Sequence, residues 1–447
     1  MYRPTIRSRF ALLALCALLP SLAQADEWDM EKDQLNASCS SLFTSFAGIG
    51  SCAGFLFNGG KPVRLTIPTS VVPGGGTALG VMYAQPIDIT DWTDSNLTMS
   101  AGSSLREFWF ADATLSFFHR KWGGDWNTAR DRNQFRAYAH ARGLPLMPYY
   151  GIGPDTARSD LVDFGERQLS AGVDAFIPLK SWLAVGGALE YVAPRINSIN
   201  DPSVRSIDTF YSEATAPGLL NQPNFAHYRV FAQPRHDWKW TKFYSQAAYD
   251  FYQDTDTGRY SFRKFRADVM ETIYPERQTE PTGGGKGTRT QPKYDSVLYI
   301  FGRFTTEQTA AGNVVPFYMQ ETIGGSDIDN VATLRGFQDY RFRGPDLFVI
   351  QTQYERRLLP AAKPGAQSST IRKIAGALGI MAFYDTGEVA VKASDLSFSN
   401  LRHSFGFGMT LWSGERVWFR AYVGLGSGEG AHPFFGVSDP STQLLHP

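Results

Sequence analysis

The chain has 447 residues, with 43 basic and 43 acidic side chains and therefore no net charge, a balance that excludes the basic excess expected of a nucleic-acid binder. Apolar residues make up 43% and aromatics 14%, and glycine occurs 43 times. Beyond the amino-terminal leader no apolar run reaches the length of a spanning helix, so the chain is either soluble or crosses a membrane as strands.

Residues 1–25 read as an export signal. Arg3, Arg7 and Arg9 precede an apolar run from Phe10 to Leu19, and Ala23-Gln24-Ala25 supplies a small-x-small site with the cut after Ala25. Cys16 is a poor lipidation site, because Leu15 before it is too large. The cysteines left, Cys39 and Cys52, most simply form one local disulfide in an exported chain. Neither belongs to a Cys-x-x-Cys or Cys/His set, so no metal site is expected. Residues 26–61 form a short periplasmic segment ahead of the main domain, 62–447. Two readings stay open for it: a tail pinned by the disulfide, or a piece packed at the mouth or inside the lumen of a barrel.

From there the pattern is alternation. In "SWLAVGGALEY" Leu183, Val185, Leu189 and Tyr191 oppose Ala184, Gly186, Ala188 and Glu190. In "LFVIQTQYERR" Phe348, Ile350, Thr352 and Tyr354 oppose Gln351, Gln353, Glu355 and Arg357. "IAGALGIMAFYDTG" sets Ile374, Leu378, Ile380 and Tyr384 against Ala375, Ala377, Gly379 and Asp385. "LRHSFGFGMTLW" and "VWFRAYVGLG" repeat it, with Ser404, Gly406, Gly408, Thr410, Arg420 and Tyr422 on the polar or small face. Such segments are longer than the roughly 5–6 residues of soluble strands. Their second faces combine charges with small residues, as a wet lumen requires.

The sequence predicts an all-β transmembrane antiparallel barrel of about sixteen strands. The segments lie at 77–86, 95–104, 106–119, 132–143, 161–177, 181–194, 225–236, 241–251, 258–272, 294–306, 313–323, 347–359, 374–388, 402–412, 416–426 and 431–438. With both ends in the periplasm, parity puts 273–293 and 324–346 outside. It puts 195–224, the turn "QDTDTG" and the turn "SGER" inside, although 195–224 is long for an inner turn.

One stretch is motif-grade. "VPFYMQETIGGSDIDNVATLRGFQDYRF" resembles the region around the sixth extracellular loop of the BamA/TamA family of outer-membrane assembly factors, the bacterial surface antigen barrels. It carries Pro316, Phe317 and Tyr318 as a strand, then Gly324 and Gly325, then Leu334, Arg335, Gly336 and Phe337. "QTQYERRL" with Glu355 and "AFYDTGEV" with Phe383, Asp385 and Gly387 are similar to the next two strands, and "PYYGIGPDT" at 148–156 is similar to the surface-antigen branch. The resemblance spans roughly 62–438. It implies a loop folded into the lumen, with Arg335 on carboxylates of the following two strands. Alternation independently turns Glu355 and Asp385 inward. Arginine suits the role as a permanently charged planar fork. Gly336 would permit a tight or positive-φ turn, Phe337 would pack on the wall, and Gly379, Ala375, Gly406 and Gly408 would leave room. Arg341 and Arg343 read as loop charges.

The resemblance is to a member lacking the POTRA domains, and the ending "GVSDPSTQLLHP" departs from the family's terminal aromatic strand. Implied are a monomeric barrel in the Gram-negative outer membrane, contact with outer-membrane lipids including lipopolysaccharide, and periplasmic accessory proteins. The implied role is outer-membrane protein or lipid assembly or translocation; a passive or gated channel is the alternative. No enzymatic activity, cofactor or nucleic-acid partner is expected. "TGGGKGT" at 282–288 lacks the Ser or Thr and the first glycine of a phosphate loop, and Asp327 with Asp329 lacks the other oxygen ligands of a calcium loop.

Overall fold

The computed structural model describes residues 63–66, 71–87, 93–119, 132–238, 240–275, 295–328, 331–359, 375–413 and 416–436. The export signal, residues 26–61 with Cys39 and Cys52, Asp329, and the 282–288 loop lie outside the described residues. The strands are β1 (Val63–Thr66), β2 (Ala78–Ile87), β3 (Thr93–Ser104), β4 (Trp109–His119), β5 (Gln134–Tyr149), β6 (Val162–Lys180), β7 (Leu183–Asn197), β8 (Phe225–Asp237), β9 (Thr241–Asp254), β10 (Phe262–Ile273), β11 (Ser296–Thr309), β12 (Glu321–Ile323), β13 (Phe342–Gly344), β14 (Asp346–Arg357), β15 (Leu378–Ala390), β16 (Arg402–Ser413), β17 (Arg416–Gly426) and β18 (Gly430–Gly436). All but β12 and β13 join one 16-stranded antiparallel sheet, each strand beside its chain neighbour, with β11 passing directly to β14.

The sheet wears its apolar side outward. Leu189 is 55% exposed, Val230 62%, Phe407 64% and Met409 53%, whereas Glu166, Asp250, Arg303, Glu355, Asp385 and Arg420 are buried. Only a hydrocarbon surround makes that inversion favourable, since water would expel the outer face and leave the inner charges costly. The chain is a sixteen-stranded transmembrane β-barrel. No helix among the described residues is long and apolar enough to cross a membrane.

Sixteen is the expected count, reached by two compensating differences. The short β1 escapes the sequence pattern because four residues carry too little alternation to register. Residues 313–323 are no barrel strand: Phe317–Met319 is a 3₁₀ turn, so the Pro316-Phe317-Tyr318 motif is not a strand, and β12 pairs only with β13. The extra strand in front reverses the sidedness of everything up to β11. Residues 195–224 and 255–260 therefore share the end of the barrel that carries 310–345, and the connection from Ile273 to Ser296 leaves from the opposite end. Hydrogen bonds agree, with Phe317 N donating to Pro217 O and Val314 N to Arg259 O. Residues 375–377 are helical, so Ala375 and Ala377 lie outside β15.

At the loop end the mouth is filled. Tyr149, Phe164, Ile207, Ala216, Leu219, Phe317, Tyr318 and Tyr340 form one buried apolar cluster drawn from five separate segments. The Tyr260 hydroxyl donates to Glu213 at 2.5 Å and, with burial the larger cause, this pushes the Tyr260 phenol up to about 12.

Candidate functional site

Residues 310–345 form the sixth loop at their end of the barrel and turn back inward. The elbow is Gly324-Gly325, at φ +116° and +51°. A Cβ at Gly324 would stand 2.5 Å from Arg341 Cβ, so shape and dihedral both demand glycine there. Across the elbow Gly325 N donates to Leu334 O at 2.8 Å and Thr333 N to Gly325 O at 2.9 Å. These two hydrogen bonds tie Thr333 and Leu334 to the elbow and set Arg335 beside the wall.

Arg335 is 8% exposed and lies against β14, β15 and β17. Its Nε donates to Asp385 Oδ2 at 3.0 Å and its NH2 to Oδ1 at 2.6 Å, a bidentate fork, while its backbone N donates to Oδ2 at 3.0 Å. Ser404 Oγ donates to the same carboxylate at 3.2 Å. The guanidinium carbon stands 3.7 Å over the Phe383 ring, which gives this aromatic a second attraction for the charge. Asp385 and Phe383 reach the lumen from one strand because they are two residues apart.

Glu355 is placed inward as expected but is not a direct ligand of Arg335. Gln353 stands between them: Arg335 NH1 donates to Gln353 Oε1, and Gln353 Nε2 donates to Glu355 Oε1 at 2.6 Å. Glu355 takes its own cation from β17, with Arg420 Nε at 2.6 Å and NH2 at 3.2 Å. The result is a line Asp385–Arg335–Gln353–Glu355–Arg420 with two positive and two negative groups. In a low-dielectric interior such matching is what makes burial tolerable.

Gly336 serves close approach rather than a left-handed turn. A Cβ on it would lie 2.4 Å from Gly426 N, and one on Gly424 would lie 2.3 Å from Arg335 O. Loop backbone therefore rests directly on β17. Gly406, Gly408 and Gly379 make space for wall side chains instead, namely Phe383, Tyr422 and Trp412. Gly387 faces the neighbouring β14 backbone at Phe348 O. Leu334 and Phe337 are buried in one cluster with Phe342, Leu347 and Val349, as wall contacts should be.

Further struts escape the sequence reading. Arg341, far from a free loop charge, is 4% exposed; its Nε donates to Glu429 at 2.7 Å and its NH2 to Thr156 O at 2.8 Å. Arg343 NH1 donates to Phe317 O at 2.7 Å. Asp327, weighed above as a calcium ligand, accepts from Arg303 NH1 at 2.7 Å and from Val331 N at 2.8 Å. Lys264 on β10 holds Glu307 at 2.7 Å and Glu321 of the loop at 2.9 Å. The available signal was the density of arginines beside inward-facing acids, but only the fold says which pairs meet. Tyr150 and Thr156 of the 148–156 stretch also touch the loop, through Gln338 and Arg341.

No family model matches the sequence, and no curated relative does. Among solved structures, the chain is similar to BamA from Haemophilus ducreyi lacking POTRA domains 1–3, with TM-score 0.50 and 9% identity, over 88% of this chain and 77% of that one. CdiB from Acinetobacter baumannii aligns with TM-score 0.46 and 12% identity over 81% of this chain and 57% of that one. CdiB from Escherichia coli aligns with TM-score 0.47 and 10% identity over 84% and 61%. At such identity the likeness to BamA is one of fold: the chain forms a BamA-like β-barrel.

Proposed function

We propose that the protein assists the insertion or translocation of outer-membrane proteins or lipids, working with periplasmic accessory proteins. The observation that carries this reading is the clasped loop that occupies the β10–β17 side of the lumen, beneath a packed cap. A barrel built as a passive pore gains nothing from burying Arg335, Arg341 and Arg343 across its own bore, so the working surface is the wall and not the channel. Among the described residues the sheet's two edge strands are also its shortest, four residues in β1 and seven in β18, and no strand pairing joins them. In this reading the loop end faces outward and both termini face the periplasm.

The test is reconstitution of the full chain in liposomes, followed by the folding rate of a separately purified, urea-unfolded barrel protein read by heat-modified electrophoresis. Faster folding than in empty liposomes is expected. Unchanged folding, with large stable openings in planar bilayers, would establish the channel reading instead.

A further inference from the structure

We propose that Arg167 and Arg195 form a site on the outer wall for the phosphate of a lipid headgroup in the leaflet at the loop end. The two are direct cross-strand partners on β6 and β7. Both are exposed, while their chain neighbours Glu166 and Ile196 are buried on the inner side. The same outward faces carry Leu169, Leu189 and Tyr191 further down the wall, at 51%, 55% and 45% exposure. The arginines thus sit at the upper rim of the apolar band.

Like charges directly opposite on adjacent strands repel. Among the described residues nothing relieves that repulsion, for neither arginine has a carboxylate within ion-pair distance. Arg195 is nevertheless held in place by neutral acceptors. Its NH1 donates to Pro194 O at 2.6 Å and Gln222 O at 3.4 Å, and its NH2 to Asn224 Oδ1 at 2.8 Å. The Asp256 carboxylate in the adjoining loop is taken up by Asn224 N and Nδ2. Arg167 has no hydrogen bond at all among the described residues. One guanidinium is oriented, its neighbour is free, and the pair's charge is unmatched.

A second observation fixes the depth. Gly143 pairs with Arg167 on one side and Trp109 on the other, and a Cβ on Gly143 would fall 2.0 Å from Trp109 Nε1. The indole covers the glycine, in the same row as the two arginines. Tryptophan concentrates at the membrane–water boundary, where its N–H meets polar headgroups. A row of indole, glycine and two arginines above an apolar wall fits a phosphate-bearing lipid, its chains on Leu169 and Leu189 and its phosphate bridging two planar forks.

The experiment measures lipid retention by native mass spectrometry on the full chain in detergent, using bisphosphorylated lipid A and its dephosphorylated form as probes. The Arg167→Gln/Arg195→Gln variant is expected to retain about tenfold less bisphosphorylated lipid A, the loss of roughly one charge-assisted contact. Arg263→Gln, at a solitary outward arginine over Phe251, is expected to retain it as the natural chain does. Dephosphorylated lipid should not distinguish the proteins, and inorganic phosphate in large excess should not displace the lipid. Equal retention by the double variant overturns the proposal, as does displacement by inorganic phosphate, which would mark a free-anion site. Should the double variant fail to fold, Arg167→Gln alone breaks no hydrogen bond and carries the same expectation at about threefold.

Discussion

The two halves of the lumen use the same chemistry at different depths in water. Around β10 to β17 the ion pairs are nearly dry: side-chain exposures are 1% and 5% for Arg303–Asp268, 7% and 0% for Arg335–Asp385, and 3% and 0% for Arg420–Glu355. Around β3 to β5 the polar contacts are wet, at 33% and 42% for the ion pair Arg132–Asp94 and 44% and 35% for the hydrogen-bonded His140–Asp112. The difference is the inward loop, which roofs the first half and leaves the second open to solvent. Dry pairs fix the loop in position, because each is costly to break. Wet pairs keep a wall soluble on its inner face and fix little.

Arg335→Ala should strain that contrast most. It leaves Asp385 buried with Ser404 as its remaining side-chain donor, and removing one partner of such a pair costs about 3–5 kcal/mol. The expected readout is loss of the heat-modified electrophoretic shift at a lower temperature than for the natural chain. Unchanged behaviour would show that the clasp contributes nothing. Replacing both partners, as Arg335→Met with Asp385→Leu, should cost clearly less than the sum of the two single changes, because no charge is then left unpaired.

Gly424→Ala should come next. The new methyl group meets loop backbone at Arg335 O, not a side chain that could swing away, so the loop must lift from β17 at a cost of about 1–3 kcal/mol. Urea titration of the reconstituted barrel measures it. A neutral result would mean that the loop is not pressed on β17 in solution.

How much of this was legible beforehand follows from the physics of each signal. Alternation is local and strong, so Glu355 and Asp385 could be turned inward from the sequence, since a one-residue slip would have sent both to the lipid. Sidedness is global, and the four-residue β1 is enough to invert it from β2 to β11. The long segment 195–224 was the visible symptom, too long for an inner turn and natural as part of the cap. The motif resemblance pairs Glu355 with Arg335. Its closer cation, Arg420, sits 65 residues away in sequence, and only the register of β14 to β17 brings them together. Gly424 and Gly426 looked like ordinary strand glycines, because what excludes a side chain there is another part of the chain.

His140→Ala probes the other side of the comparison and should do least. Its Nδ1 lies 2.8 Å from Asp112 Oδ1, a distance as good as those in the dry half, so geometry alone would rank it with them. Solvent decides otherwise: both groups keep much of their hydration, and an exposed pair of this kind is worth about 0–1 kcal/mol. Where the imidazole is protonated, raising the salt concentration should shrink even that, while leaving the effect of Arg335→Ala nearly intact, because screening acts on pairs that water and ions can reach. A large destabilisation in His140→Ala, or a salt response shared by both variants, would mean that the two halves are equally dry and that the loop does not divide the lumen.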